Sequence, residues 1–264
     1  MMSDSLTGLR AALREQQLIV STFVMMPRVE IVEMLGSAGF DAVVFDLEHG
    51  PLAATDLAPL AAAARGVGLA SIARLGEGRP ANIGAALDAG VDGVMVPHIE
   101  SAQHAENAVS FARFPPDGTR SLNPYVRGTD YGSTQTSPVG DANSRSAVIG
   151  MIEDDAGTEQ LDEILEVDGL DAVFVGPVDL AGRMGYPGEP DHPVVVAQIE
   201  AIFTRVKAAG RAGGVYVSTP ETASRWVDRG ASLVAVSADV AMAFRAFVST
   251  RRRIGDDAQL SEPT

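Results

Sequence analysis

Four stretches decide the fold: FDLEHGP at 45–51, SIARL at 71–75, GMIEDD at 150–155 and VFVGPVDL at 173–180. Each holds an apolar run and then Asp, Glu, His or Arg. An ionised side chain is too costly to bury without a partner, so a buried strand that stops on one delivers it to the rim of a sheet. Four such rims from four separate strands predict an assembled site.

Working outward, strand-like apolar runs lie at 18–25, 41–47, 69–74, 92–96, 146–152, 171–176, 213–218 and 232–237. Helix-like segments follow them at 28–38, 55–65, 81–89, 101–112, 158–166, 193–209, 220–229 and 240–253. Gly39, Gly68, Gly90, Gly210 and Gly230 each close a helical segment, where a left-handed cap favours glycine. Thr55 and Ser101 stand as N-caps. The strand runs are continuously apolar, the pattern of parallel strands covered on both faces. Eight strand-then-helix repeats predict a (β/α)8 TIM barrel, a single domain over 1–264 with its core at 18–253, a frayed N-terminus and a frayed C-terminal tail. A doubly wound open sheet is the competing arrangement, but no G-x-G-x-x-G follows the first strand. The connection at 114–145, rich in Gly, Pro, Ser, Thr and Asn, is long enough to be a functional lid or an insert, with a helical turn around 129–135.

Twenty basic residues against 35 acidic ones leave a net charge of −15 over 264 residues. No basic stripe is visible, which argues against nucleic acid; the RRR at 251–253 fits the C-terminal pole of the last helix. The absence of Cys excludes disulfides, thiolate metal sites and a cysteine nucleophile. The opening MMSDSLTGLR lacks the apolar core of a signal peptide, and no uncharged apolar run reaches the ~20 residues of a membrane helix. The expectation is a soluble cytoplasmic protein without a membrane partner.

In a barrel the strands deliver chemistry at their C-terminal ends. Collected there are Asp46, Glu48, His49, Arg74, His98, Glu100, Glu153, Asp154, Asp155 and Asp179. Oxygen donors with few imidazoles suit a hard divalent cation such as Mg2+ or Mn2+. Asp46 is placed to orient His49 and favour its charged form, making it a base near neutral pH. Arg74 offers a cationic fork for a developing oxyanion. The Gly176–Pro177 step exposes backbone amides beside Asp179, while Asp154, Asp155 and Asp56 also read as helix caps. No Lys stands at a strand end, and Lys207 falls in a helix, which disfavours a Schiff base.

Taken together, D-x-E-H-G at 46–50, Arg74, G-V-M-V-P at 93–97, I-E-x-x-x-G-x-x-x-L-D-E-I at 152–164 and F-V-G-P-x-D-L-x-x-x-M-G at 174–185 resemble the HpcH/HpaI aldolase/citrate lyase family over about residues 18–245. The resemblance implies a divalent-metal-dependent class II aldolase that makes or cleaves 4-hydroxy-2-oxo acids. Its donor would be pyruvate or a close analogue such as hydroxypyruvate, and its acceptor an aldehyde. It further implies Glu153 and Asp179 as ligands of Mg2+, Mn2+ or Co2+, Arg74 at the keto or enolate oxygen and His49 with Asp46 as the base. Glu48 would stand behind them, and the amides around Gly176, Pro177 and Val178 would hold the substrate carboxylate. Relatives imply a homo-oligomer, often a hexamer whose dimers exchange the last helix. The chain departs from the family pattern with Met151 where a Gln is common, His98 where an uncharged residue is usual, and GTRSLNP for G-x-R-G. Alternative outcomes are oxaloacetate decarboxylation, citrate-synthase-like condensation, or a non-enzymatic carboxylate-binding barrel.

Overall fold

A computed structural model describes residues 8–133 and 138–260. Eight strands, β1 (Ile19–Val24), β2 (Ala42–Asp46), β3 (Ala70–Arg74), β4 (Gly93–Val96), β5 (Ala147–Ile152), β6 (Ala172–Val175), β7 (Ala212–Val217) and β8 (Leu233–Ala238), close into one parallel barrel. Helix α1 (Leu9–Arg14) precedes the barrel, and around it stand α2 (Val29–Ser37), α3 (Ala54–Gly66), α4 (Pro80–Asp88), α5 (Ala102–Ala112), α6 (Pro138–Arg145), α7 (Asp155–Glu159) and α8 (Leu161–Leu165). The ring ends with α9 (Pro177–Arg183), α10 (Pro193–Ala208), α11 (Pro220–Asp228) and α12 (Asp239–Leu260). All eight expected strands are present, and the barrel rather than the open sheet is the fold.

Strand parity places the site. In β2, β3, β5 and β6 the side chains of Val44, Ile72, Met151 and Phe174 belong to the cluster that fills the barrel, while Val43, Ala73, Ile152 and Val175 join the layer beneath the helices. Successive strand residues alternate faces, so two steps on from each lumen residue come Asp46, Arg74, Glu153 and Gly176, all facing the mouth. Packing is close enough to restrict the strands. A methyl group on Gly214 would fall 2.5 Å from Phe174 Cδ2, so glycine on β7 makes room for the ring that fills the lumen.

Several expectations need correction. The start is not frayed from residue 8 onward: α1 buries Leu9, Ala12 and Leu13 in the lumen cluster and closes the barrel at the end opposite the site. Apolar side chains at that spacing have nowhere else to pack. Residues 1–7 lie outside the described residues. Thr55 is not an N-cap; α3 starts one residue earlier, and Asp56 accepts the Ala53 amide at 2.8 Å, since a carboxylate outcompetes a hydroxyl for that orphan donor. Ser101 caps α5 as expected, accepting from His104 N. The helix expected at 158–166 is two short helices, α7 and α8, and α9 was not anticipated. The long connection contains a 3-10 turn at Arg127–Gly132 and α6, with 134–137 outside the described residues. It is pinned by Arg120, whose guanidinium bonds Asp88 at 2.5 Å and covers Phe114. The last helix continues to Leu260, into the segment expected as a frayed tail; residues 261–264 lie outside the described residues. No helix among the described residues is long and apolar enough to cross a membrane.

Candidate active site

Asp46 ends β2 and Arg74 ends β3, directly opposite in register. Arg74 Nε donates to Asp46 Oδ1 at 3.0 Å and its terminal nitrogen to Oδ2 at 2.6 Å, a forked pair that uses two of five guanidinium donors. The guanidinium also covers the Phe23 ring at 4.5 Å and approaches Glu48 at 3.5 Å. Asp46 Oδ1 further accepts the amides of Glu48 and His49 at 3.0 and 3.1 Å. Burial alone would raise the Asp46 pKa, but the bonds and charge of Arg74 and these two amides outweigh it and hold the carboxyl below the usual aspartate value.

The expected Asp46–His49 pair needs correction. Asp46 meets His49 only through its backbone amide, because the carboxylate is already committed to Arg74. The His49 imidazole instead lies at the exposed edge with Nε2 3.9 Å from Glu48 Oε2. Glu48 therefore sits among Arg74, His49 and His98, whose Nε2 is 3.9 Å from its other oxygen.

Glu153 follows β5 and is buried; Asp179 sits exposed in the first turn of α9, where a carboxylate is favoured by the helix pole. Both point past Gly176: a Cβ there would lie 3.1 Å from Glu153 Oε2 and 3.8 Å from Asp179 Oδ2. Burial pushes the Glu153 pKa up; His98 opposes the rise, and the charges of Glu48 and Asp179 add to it. Two carboxylates that share one small space, and that repel each other without a cation, suit a divalent ion held by oxygen. No group of three or more His, Cys, Asp and Glu gathers for a metal among the described residues, so a cation here would rest on two protein ligands with its other positions open.

His98 escaped the sequence reading as a neighbour of this pair. Its backbone adopts φ 54°, and both its amide (2.9 Å) and Nδ1 (3.1 Å) address Glu153 Oε1, leaving Oε2 for the Gly176 side. Glu100 is exposed, and Asp154 caps α7 through the Gly157 amide at 2.7 Å, as its capping reading expected. Of the amides expected near Gly176, Pro177 has none and that of Gly176 donates to Ile152 O at 3.4 Å. The Val178 amide, in the first turn of α9, is the donor left.

A cavity of about 330 Å³ unites Asp46, His49, Arg74, Gly176, Pro177, Val178 and Asp179. The sequence reading missed its opposite wall: Phe23 and Met25 from β1 and the turn after it, Tyr216 from β7 and Ala238 from β8. Lumen parity on β1 and β7 was the available signal. Asp239 fixes that wall by accepting the Met25 and Met26 amides at 3.0 and 2.9 Å.

The sequence profile of HpcH/HpaI aldolase/citrate lyase matches residues 20–246. The chain belongs to the HpcH/HpaI aldolase/citrate lyase family. It is 35% identical over 237 residues to the 5-keto-4-deoxy-D-glucarate aldolase of Salmonella paratyphi C (strain RKS4594), covering 90% of this chain and 92% of that one. A family protein from Burkholderia cenocepacia J2315 superposes with a TM-score of 0.88 at 30% identity, over 93% of this chain and 98% of that chain. The citrate synthase SbnG superposes with a TM-score of 0.83 at 28% identity, over 94% of this chain and 99% of that chain. This family member is thus an enzyme, a carbon–carbon lyase of the aldolase type, and the non-enzymatic barrel is set aside.

Proposed function

We propose that the protein makes and cleaves 4-hydroxy-2-oxo acids, with pyruvate or a close analogue such as hydroxypyruvate as the donor and an aldehyde as the acceptor. The observation that carries this reading is the convergence of Glu153 and Asp179 at Gly176, across one cavity from the Asp46–Arg74 fork. Glu153 and Asp179 would hold a divalent metal such as Mg2+, Mn2+ or Co2+, which supplies Lewis-acid polarisation of the 2-oxo acid. The Val178 amide would take the substrate carboxylate. Arg74, immobilised by Asp46 and Phe23, aims its remaining N–H groups at the C2 oxygen and stabilises the charge that grows there. In the cleavage direction His49 Nε2 accepts the C4 hydroxyl proton as the C3–C4 bond breaks. The electron pair of that bond becomes the enolate, which takes up a proton at C3. Glu48 steadies the imidazolium between the two transfers. Lys207 lies exposed in the last turn of α10, ahead of β7 and not at the C-terminal end of a strand, which fits a route without a Schiff base.

Incubation with Mn2+ and pyruvate in D2O tests this reading. Methyl protons should exchange, and EDTA should abolish the exchange; unaltered methyl signals would sink it. The likeness to a citrate synthase favours one second reading, condensation of an oxo-acid enolate with another oxo acid. Product analysis with oxaloacetate separates condensation and decarboxylation from aldol chemistry.

Self-association through the last helix is part of the same proposal. Along α12, Phe244, Phe247 and Ile254 are exposed, an apolar face that a second copy would cover.

A further inference from the structure

The aldolase reading leaves the acceptor open, and the cavity wall speaks to it. We propose that the acceptor is an aldehyde whose far end is uncharged and apolar, and that aldehydes ending in a carboxylate are poor substrates; this rests on the aldolase reading above.

The groups assigned to the oxo-acid end stand on the arc from β2 to β6: Asp46 and Arg74 end β2 and β3, Glu153 follows β5, and Gly176 to Asp179 open α9. The other side is built from Phe23, Met25, Tyr216 and Ala238, with Met151 and Phe174 beneath. Phe23 meets Tyr216 edge to face at 5.8 Å and Phe174 at 6.4 Å, a continuous aromatic surface rather than scattered contacts. Arg74 is the one arginine among the lining residues, and its fork is held by Asp46. Arg245 of α12 is also engaged, with Ser237 Oγ at 2.6 Å and the Ser218 carbonyl at 3.3 Å.

An acceptor carboxylate laid along this wall would leave water with Arg74 as its one cationic neighbour among the lining residues. That guanidinium already serves Asp46 and, in the proposed function, the C2 oxygen. The carboxylate would also face Asp46 and Asp179 within a chain of net charge −15, which lowers the local concentration of anions. An alkyl chain in the same place buries its methylenes against rings, worth about fourfold in kcat/KM for each one fully covered.

The test uses the full-length protein with Mn2+ and pyruvate, and compares pentanal with 5-oxopentanoate, which differ in the charged terminus. The expected result is a kcat/KM at least about tenfold higher for pentanal. Equal or better use of 5-oxopentanoate would overturn the proposal. Failure of both aldehydes while pyruvate methyl protons still exchange in D2O would also overturn it, yet leave the enolate chemistry standing. Loss of that exchange would strike the aldolase reading itself. Tyr216→Arg, which adds a cation to the wall, should move the ratio at least about tenfold toward 5-oxopentanoate. Met25→Arg serves the same end if the Tyr216 variant fails to fold. An unmoved ratio in a folded variant would remove this wall from acceptor recognition.

Discussion

Asp46 and Arg74 end neighbouring strands in direct register and lock through two hydrogen bonds of 3.0 and 2.6 Å. Both side chains are largely buried, so neither charge is separable from the other. Arg74→Met should destabilise the protein by about 3–5 kcal/mol, because it strands a buried carboxylate. The Asp46→Asn, Arg74→Met double variant should cost less than the sum of the two single changes, as read from urea midpoints in a double-mutant cycle. Additive losses would mean that the pair does not couple.

The same pair sets an acid limit. The Asp46 carboxyl is held below its usual value in the folded state, so its stabilising contribution is full above the unfolded value near pH 4 and is lost as pH falls through the lower folded value. Urea midpoints measured from pH 7 to pH 2 should drop through that window. Asp46→Asn should flatten this limb.

Glu153 carries the opposite sign. Burial first, then Glu48 and Asp179, raise its pKa, so in metal-free protein its ionisation costs stability as pH rises past the ordinary glutamate value. Glu153→Gln should therefore raise the Tm of the metal-free protein at neutral pH, by about 2–4 °C for each kcal/mol relieved. Under the metal reading the same change should weaken Mn2+ binding by more than about 100-fold, since losing only an outer-shell partner already costs 10–100-fold. Calorimetric titration gives the affinity independently of turnover.

His98 gives a finer test of that centre. His98→Asn tolerates the positive φ and keeps the amide bond to Glu153 Oε1 but removes the Nδ1 contact at 3.1 Å. Mn2+ affinity should fall by about tenfold with little change in Tm. Unchanged affinity would make the imidazole a bystander.

If α12 docks on a second copy, Phe244→Glu with Phe247→Glu should lower the sedimentation mass toward 27.5 kDa at micromolar protein. An unchanged assembly would locate the interface elsewhere.

Much of this was legible along the chain, and the reason is local. Continuous apolar runs that end in Asp46, Arg74, Glu153 and the Gly176–Asp179 turn could only be buried parallel strands delivering charge to a rim, so the barrel and most of its polar residues follow from pattern and desolvation cost. Helix boundaries were less legible where a neighbouring carboxylate competed for the cap, as Asp56 does with Thr55.

What tertiary structure alone decided is partnership. Barrel closure brings β1 beside β8, setting Phe23 against Tyr216 and making an apolar wall from residues 193 positions apart, which no local period encodes. Strand register, not sequence spacing, gives Asp46 to Arg74 instead of to His49 three residues away. The turn after β4 likewise delivers His98 to Glu153, 55 residues on. The residue types determined which charges must reach water or a partner; the three-dimensional packing chose the partner, because a carboxylate pairs with whichever donor the closed barrel holds within about 3 Å.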